Sequence, residues 1–250
     1  MVRRRIVTII SIVCIVLGIG VISFPHIEQW LYSRNADRSA MQFDEWREEM
    51  WEQAGSQEPQ PGEAINYETP EEAPYLSELY GEMQKYNESL YRNGQAEFKD
   101  AWSYQSKSFD LTQWGFDDQM IGYIHIPRMD VRLPLYLGAT EKHMKLGAVH
   151  LTETSLPIGG KNTNCVIAGH RGYHGAAMFR DIEELRIGDE IYIHNPWETL
   201  VYRVCELKVI APDETGEVMI QPGRDLVTLI TCHPYRHNYQ RYVVYAERIG

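Results

Sequence analysis

The chain has 250 residues, 44% of them hydrophobic, which is enough apolar surface for a folded domain with accessory segments. This composition excludes a chain that is disordered throughout. Acidic residues outnumber basic residues by 35 to 24, giving a formal net charge of −11. A chain-wide cationic face for binding nucleic acid is therefore not expected.

The N-terminus has the pattern of a membrane anchor. Arg3 to Arg5 are followed by an uncharged apolar run from Ile6 to Phe24, a length that nearly spans a bilayer. The run leads into Pro25 instead of a small-residue cleavage site, which favours an uncleaved anchor over a cleaved signal peptide. By the positive-inside rule, residues 1–5 are cytoplasmic, residues 6–24 cross the membrane once, and the rest is extracytoplasmic.

Residues 25–74 are predicted to be an extracytoplasmic spacer. Within them, Phe43, Trp46 and Met50 fall at helical spacing and predict a short amphipathic helix from Ala40 to Gln53. The following stretch, GSQEPQPGEAINYETPEE, is rich in proline, glycine and carboxylates and predicts an extended linker. The acidic side chains of this region are expected to be solvated, with docking to a partner as the alternative.

Residues 75–118 are predicted to hold one helix and a segment leading into the next domain. Apolar residues at helical spacing form one face of this helix, which ends at Asn93-Gly94. That face must pack against another part of the chain. Its residues are Leu76, Leu79, Tyr80, Met83, Tyr86 and Leu90.

Residues 119–249 change to a strand pattern and predict a mostly β domain. Six runs are rich in β-branched and aromatic residues, which favours a sandwich or a closed barrel. FRDIEEL, from Phe179, predicts one short helix. The runs are MIGYIHI from Met120, NCVIAGH from Asn164, DEIYIHN from Asp189, TLVYRVCELKVI from Thr199, VTLITC from Val227 and RYVVYAERI from Arg241.

Three residues at strand ends form a candidate active site. Cys232 ends an apolar run, directly before a histidine and a proline, and Arg241 opens the next strand nine residues later. His170 ends the run NCVIAGH. A cysteine nucleophile needs nearby cationic or imidazole groups, a histidine can carry a proton to and from amines, and an arginine can stabilise an oxyanion. The pattern therefore predicts nucleophilic catalysis by Cys232.

The other cysteines form no recognisable framework. Cys14 lies in the apolar run, and the spacing of Cys165 and Cys205 matches neither a disulfide scaffold nor a zinc knuckle. We expect Cys165 and Cys205 to be buried thiols, with a disulfide between them as the alternative.

These motifs resemble the sortase family. The matching residues are TLITC from Thr228, the arginine at position 241 and the AGHRG block from Ala168. Three longer stretches resemble the class C, pilin-polymerising sortases: LYGEMQKYNESLY, IGYIHIPRMDVRLPLYLG and GAVHLTETSLPIGGKNTNCVIAGHRG. The resemblance covers roughly residues 75–249 and implies a closed eight-stranded sortase β-barrel with short helices.

By this resemblance, the protein is a cysteine transpeptidase of a Gram-positive cell membrane. Cys232 would attack the Thr–Gly bond of an LPxTG-like sorting signal and form a thioester, with His170 as acid and base. Arg241 would bind substrate and oxyanion, and Thr231 would help to orient the substrate. A pilin lysine would resolve the thioester; the alternative is a cell-wall peptide amine. A monomeric ectodomain without a cofactor is expected.

The resemblance also predicts a lid over the active site. Class C sortases often have an Asp-Pro-aromatic loop before the barrel, and this chain has Asp100-Ala101-Trp102 at about that place. The central proline is absent, which frees the backbone there. Asp100 and Trp102 are the candidate lid residues, and an incidental loop is the alternative.

Two other functions compete with transpeptidation. His170, His174, His233 and His237 form two pairs near the spacing of metal ligands, but they lie in loops without a neighbouring carboxylate. No metal is therefore predicted. A catalytically inactive binding module is the second alternative, and the presence of the complete cysteine, histidine and arginine set argues against it.

Overall fold

The computed structural model describes residues 2–55, 61, 76–95, 109–116, 118–173 and 176–249. Its centre is a closed barrel in which the strands neighbour each other in the order β1-β2-β3-β4-β7-β8-β6-β5. The eight-stranded barrel implied by the family resemblance is confirmed. The strands are β1 (Met120–Ile126), β2 (Val131–Leu137), β3 (Ala148–His150), β4 (Thr163–Ala168), β5 (Glu190–His194), β6 (Thr199–Ile210), β7 (Asp225–His233) and β8 (Gln240–Arg248).

The six strands predicted from periodicity all form, and β1 and β6 have the predicted starting residues. The two others, β2 and β3, were not recognised from their own pattern. Strand β2 contains Pro134, which cannot donate a ladder hydrogen bond, and β3 has only three residues. FRDIEEL forms a single turn of 3-10 helix, Ile182–Glu184.

Successive side chains of the barrel strands alternate between two apolar clusters, the main core and a second cluster. Val227, Leu229 and Val244 belong to the main core, whereas Ile230 and Val243 belong to the second cluster. Successive side chains of a strand point to opposite faces, so the two clusters occupy opposite faces of the sheet. Each such residue contributes roughly 1.5–3 kcal/mol by leaving water.

The first helix, α1, runs without interruption from Val2 to Gln53. Pro25 lies inside it and does not end it. Large apolar side chains between Ile6 and Phe24 are exposed, and the most apolar 18-residue window has a mean hydropathy of 2.9. Within the described residues, α1 is the one helix long and apolar enough to cross a membrane. This suggests that α1 anchors the chain in a membrane.

The second half of α1 packs against the barrel, which corrects the prediction of a spacer over residues 25–53. Phe43 and Trp51 are buried. Arg47 donates a hydrogen bond to the Asn195 carbonyl at 3.2 Å, and the Tyr123 hydroxyl donates to Asp44 at 2.9 Å. The aromatic residues that predicted a short helix find an apolar barrel face here, and their burial holds the longer helix in place.

Helix α2 (Ser77–Asn93) confirms the second predicted helix. Leu79, Met83 and Leu90 are buried, and Gly94 ends the helix in the left-handed region at φ 68°. The Asn87 side chain accepts from Leu156 N at 2.7 Å and donates to Leu156 O at 3.3 Å. These bonds attach α2 to the segment before β4. A short helix, α3 (Glu141–Leu146), precedes β3.

Candidate active site

Strand pairing places two of the predicted catalytic residues, Cys232 and Arg241, side by side, and His170 follows the end of a neighbouring strand. Strands β7 and β8 are antiparallel, and Cys232 pairs directly with Arg241. Strands β4 and β7 are parallel, and the last pair of their ladder joins Ala168 to Ile230. His170 lies two residues beyond the end of β4, and Cys232 lies two residues beyond Ile230 on β7, so continuing this register puts them opposite each other on the same face. In that arrangement the three residues form a row across the sheet order β4-β7-β8, with Cys232 between His170 and Arg241.

This row continues the second apolar cluster. Ala168 and Ile230 lie two residues before His170 and Cys232, Val243 lies two residues after Arg241 on the antiparallel strand, and their side chains are buried together. Cys232 itself is half-buried. The reacting side chains therefore lie where a packed surface reaches the solvent-accessible rim of the barrel.

Thr231 points to the opposite face from Cys232 and is fully buried. Its hydroxyl donates a hydrogen bond of 2.7 Å to the carbonyl of Gly169, the residue before His170. The Gly169 amide in turn donates to Ile230 O at 3.3 Å. The side chain of Thr231 thus ties the end of β4 to β7. Its part in orienting the substrate stays a prediction.

Cys232 has competing influences on its ionisation. Burial raises the pKa of the Cys232 thiol, and the positive charges of Arg241 and Arg171 lower it, with burial the stronger effect. Burial also lowers the pKa of His170. Both shifts favour the neutral forms, so at neutral pH the resting site holds mainly a thiol and an uncharged imidazole.

His170 is held in place from two sides. Its ring stacks on that of Tyr173, with centroids 4.8 Å apart and planes 13° apart. Its backbone carbonyl accepts a hydrogen bond from Phe179 N at 3.0 Å. The stacking restricts the ring, and the backbone hydrogen bond restricts the loop that carries it.

Arg241 is buried to 6% exposure beside Cys232. Its Nη1 donates to the carbonyls of Asn238 at 2.7 Å and Gln240 at 2.9 Å. These bonds fix the orientation of the guanidinium before any substrate arrives. A guanidinium preorganised in this way can donate to an oxyanion without the free-energy cost of reorganising.

Arg171 is the residue that sequence reasoning did not select. Its guanidinium lies close to Cys232 O, at 3.4 Å, and to His233 Nδ1, at 2.8 Å. It also forms an ion pair with Glu183, with Nη2 and Oε2 2.5 Å apart. The AGHRG motif contained this arginine, but the partners lie 12 and 62 positions along the chain. The sequence therefore gave no sign of its contacts.

The histidines proposed as an alternative metal site do not form one among the described residues. His174 lies outside them. Within the described ranges, no group of three histidine, cysteine or carboxylate side chains is arranged to hold a metal ion. His233 is instead hydrogen-bonded to Arg171, and the His237 ring lies tilted by 47° to that of Tyr239 with centroids 5.5 Å apart.

All four cysteines are free thiols. Cys165 is buried, and Cys205 is partly buried, with its Sγ 3.4 Å from Tyr245 O. The alternative of a disulfide between Cys165 and Cys205 is thus not realised. The lid candidates Asp100 and Trp102 lie outside the described residues, and their role stays a prediction.

Comparison with known proteins identifies the family. A family model described as the sortase domain matches residues 124–249, just over half of the chain. Sortase A of Bacillus anthracis is 36% identical over 132 residues, covering 53% of this chain and 61% of that protein. The chain thus spans less than two thirds of the length of the first curated relatives it matches.

Solved structures match over a larger part of the chain. A mutant of sortase C-1 from Streptococcus pneumoniae has a TM-score of 0.69 and 32% identity, covering 85% of this chain and 98% of that one. Sortase C1 of pilus island 1 from group B Streptococcus has a TM-score of 0.62 and 34% identity, covering 68% and 81%. Members of this family are cysteine transpeptidases. The matched domain, its barrel and the shared sequence show that this chain belongs to the sortase family.

Proposed function

We propose that this protein is a membrane-anchored cysteine transpeptidase in which Cys232 is the nucleophile, His170 the acid and base, and Arg241 the oxyanion group. The observation that carries this proposal is the direct pairing of Cys232 with Arg241 across β7 and β8, with His170 two residues beyond the Ala168–Ile230 pair that ends the β4–β7 ladder. Each residue supplies a different requirement of acyl transfer.

The reaction begins when neutral His170 takes the proton of the Cys232 thiol. The resulting thiolate attacks the carbonyl carbon of the threonine in an LPxTG-like signal. The carbonyl oxygen takes the negative charge, and the Arg241 guanidinium donates to it. Protonated His170 gives its proton to the leaving amine, the peptide bond breaks, and a thioester forms on Cys232.

A second amine completes the transfer. Neutral His170 removes a proton from the incoming amine as its nitrogen attacks the thioester carbonyl. The tetrahedral intermediate collapses, a new amide bond forms, and the Cys232 thiolate leaves. Transfer to a lysine side chain makes this amide an isopeptide bond, and transfer to water gives hydrolysis.

The first test is capture of the acyl-enzyme by the full chain in detergent micelles. The wild-type protein incubated with an LPxTG-type peptide is expected to gain the mass of the acyl fragment, and the adduct should map to the peptide containing Cys232. Cys232→Ala should give no adduct, whereas Cys205→Ala, which also removes a partly buried thiol, should behave as wild type. Absence of an adduct under all conditions would favour an inactive binding module and overturn the proposal.

The proposed acyl acceptor is a pilin lysine. Two observations support this substrate class: the class C pattern over residues 75–249, and the structural match to a sortase that bears the name of a pilus island. The relative named sortase A favours the alternative, transfer of surface proteins to a cell-wall peptide amine. A competition experiment separates them by offering the acyl-enzyme a lysine-containing pilin peptide and a wall peptide together. Preferential isopeptide formation supports pilin assembly, and preferential wall-peptide transfer overturns it.

The proposed topology has residues 1–5 in the cytoplasm, α1 crossing the membrane once, and the barrel on the extracytoplasmic face. The arginine cluster before the apolar run supports this orientation, and the exposed Trp30 after the run suits a membrane interface. In intact cells, a membrane-impermeant protease should digest a tag placed after the barrel and spare a tag before Arg3. The reverse pattern would contradict the proposed orientation.

The segment containing Asp100 and Trp102 is proposed to act as a lid over Cys232. An indole there can occupy the substrate groove, and a carboxylate can approach the thiol. Trp102→Ala and Asp100→Ala should each speed alkylation of Cys232 several-fold at fixed pH. Trp114→Ala serves as the control for loss of a nearby tryptophan. An unchanged alkylation rate in both lid variants would exclude this role.

A further inference from the structure

The buried Arg171 guanidinium connects three separate segments of the chain near the active site. Its side chain is 3% exposed and follows His170 directly in the sequence. Nη1 lies 3.4 Å from Cys232 O, on β7, and Nη2 is paired with Glu183 in the 3-10 helix Ile182–Glu184. Nε reaches the Arg180 carbonyl at 3.5 Å. One cation therefore touches the nucleophile's strand and the loop that follows His170.

The direction of the bond to His233 follows from the chemistry of arginine. A guanidinium donates and does not accept, and it stays protonated in proteins. The 2.8 Å contact therefore requires His233 Nδ1 to accept from Arg171, which places the ring proton on Nε2. In this tautomer Nδ1 cannot also donate to Glu183 Oε1, 3.2 Å away. Arg171, and not His233, is thus the group that holds the Glu183 carboxylate.

We propose that Arg171, held by Glu183, is a positioning residue that fixes Cys232 relative to His170. This inference rests on the proposed transpeptidase function of the same site. We call the pair Arg171 and Glu183 the brace.

The need for a brace follows from where the catalytic residues lie. His170 is two residues beyond the last ladder pair of β4, and β7 ends at His233, immediately after Cys232. Strand ends have few ladder hydrogen bonds and open most readily. The brace adds a connection beyond the hydrogen bonds of Gly169 to β7, because Arg171 is covalently next to His170 and lies 3.4 Å from the carbonyl oxygen of Cys232. A small displacement between acid and nucleophile is costly to the rate of acyl transfer.

The brace also brings a fixed charge to the thiol. The charged and titratable groups around Cys232 are Arg241 from β8, Arg171 and His170 from the end of β4, and His233 beside it on β7. The charges of Arg241 and Arg171 both lower the pKa of the Cys232 thiol, against the larger effect of burial. Loss of Arg171 should therefore reduce the thiolate population as well as loosen the geometry.

The test compares variants of the full chain in detergent micelles. Arg171→Gln is expected to slow alkylation of Cys232 by iodoacetamide about fivefold at pH 7 and to move its pH profile upward. The value of kcat with an LPxTG-type peptide should fall at least about tenfold, with KM changed less than about twofold. Alkylation is followed at the peptide containing Cys232, so the other thiols do not interfere.

Arg171→Lys separates charge from geometry. Lysine keeps the positive charge but loses the planar fork that reaches several acceptors at once. Its alkylation profile should stay near that of wild type, while kcat stays low. The matched control is Arg203→Gln, which breaks an ion pair of 3.0 Å with Glu190 between β5 and β6 and should change neither readout.

Three outcomes would overturn the proposal that the brace positions Cys232. One is an Arg171→Gln protein that melts earlier but keeps the wild-type alkylation profile and kcat. Another is full recovery of kcat in Arg171→Lys, which would leave only a charge effect. If Arg171→Gln does not fold, Glu183→Ala is used, since Glu183 is half-exposed, and an unchanged kcat there would overturn the proposal. The alkylation profile needs no substrate, so a failed transpeptidation assay in wild type would count against the proposed function and not against the brace.

Discussion

The same three strands, β4, β7 and β8, carry charged groups at both ends of the barrel, and the two ends are built differently. At one end, Asp225 accepts hydrogen bonds from Gly160 N at 2.7 Å and the Tyr202 hydroxyl at 3.1 Å. Arg248 pairs there with Glu198 at 3.0 Å and lies 3.9 Å from Asp225. At the other end, Cys232 lies beside the two guanidinium groups of Arg171 and Arg241.

The difference shows which end is structural and which is poised for chemistry. At the Asp225 end, the buried carboxylates are paired with a cation and accept hydrogen bonds, and the backbone packs closely against these groups. A Cβ at Gly159, whose φ is 65°, would lie 2.7 Å from Arg248 Nη1, so a side chain there would displace this guanidinium. The Cys232 end instead concentrates positive charge around a neutral thiol. These positive charges stabilise the thiolate and the oxyanion when those negative charges form.

The largest expected effect comes from a substitution at the end of the barrel that carries Cys232, called here the catalytic end. In Arg241→Lys the charge remains, but the ammonium cannot reproduce the orientation that the carbonyls of Asn238 and Gln240 give the guanidinium. We expect kcat to fall by roughly 10²–10³, the usual cost of losing an oxyanion donor. Steady-state kinetics with an LPxTG-type peptide measure this, with Arg203→Lys as control. A loss below about threefold would exclude Arg241 as the oxyanion group.

The next prediction concerns a substitution at the structural end, the end of the barrel that carries Asp225. Asp225→Ala leaves the amide of Gly160 and the hydroxyl of Tyr202 without their acceptor and removes a carboxylate beside Arg248. The free energy of unfolding should fall by about 3–5 kcal/mol. Chemical unfolding in micelles measures the change, and the exposed Asp213→Ala should stay within about 0.5 kcal/mol of wild type.

The outcome at the active site decides whether the two ends are separate. Asp225→Ala protein that remains folded should keep the wild-type alkylation rate of Cys232, since Asp225 is paired with Thr163 at the start of β4 and not with its end. A change in the alkylation rate comparable to that of Arg171→Gln would mean that the ends are coupled along the strands.

The third prediction concerns pH. The pKa of Cys232 is raised by burial, so the thiolate is the minor form at neutral pH and its share grows as pH rises. Alkylation of Cys232 should therefore still be increasing above pH 9. The pKa of His170 is lowered by burial, so the imidazolium is lost at a lower pH than for an ordinary histidine. Alkylation that instead levels off near pH 7 would indicate a preformed thiolate–imidazolium pair.

Much of this comparison could be predicted from the sequence, because the proposed catalytic residues lie at the ends of predicted strands. Cys232 and His170 lie where a strand pattern stops, Arg241 lies where one begins, and the barrel brings such ends together. Arg171 could not be assigned a role in this way, since its partners Glu183 and His233 are brought to it only by folding. The sequence showed its charge but not its neighbours.

The same limit explains the error in the N-terminal region. The aromatic residues of Ala40–Gln53 correctly predicted a helix, but the acidic composition around them favoured a solvated spacer. Contacts such as those of Arg47 with Asn195 and of Asp44 with Tyr123 join residues more than 70 positions apart. Local pattern carries no information about them, so the packing of α1 on the barrel was found only in the structure.

The smallest expected effect tests the connection between β4 and β7 at the catalytic end. Thr231→Val removes the hydroxyl that donates to Gly169 O at 2.7 Å and keeps the shape of the side chain. The free energy of unfolding should fall by about 1–2 kcal/mol, because a buried carbonyl loses its donor. Thr228→Val is the matched control, since it removes a 2.7 Å bond from the same strand to Asn164 on β4.

The two threonines should differ in their effect on catalysis. Gly169 precedes His170, so loss of the Thr231 bond lets the acid move relative to Cys232, and kcat should fall a few-fold with KM unchanged. Asn164 lies near the start of β4, and Thr228→Val should lose similar stability without a change in kcat. Equal values of kcat in the two variants would show that the hydroxyl of Thr231 stabilises the barrel and has no part in positioning His170.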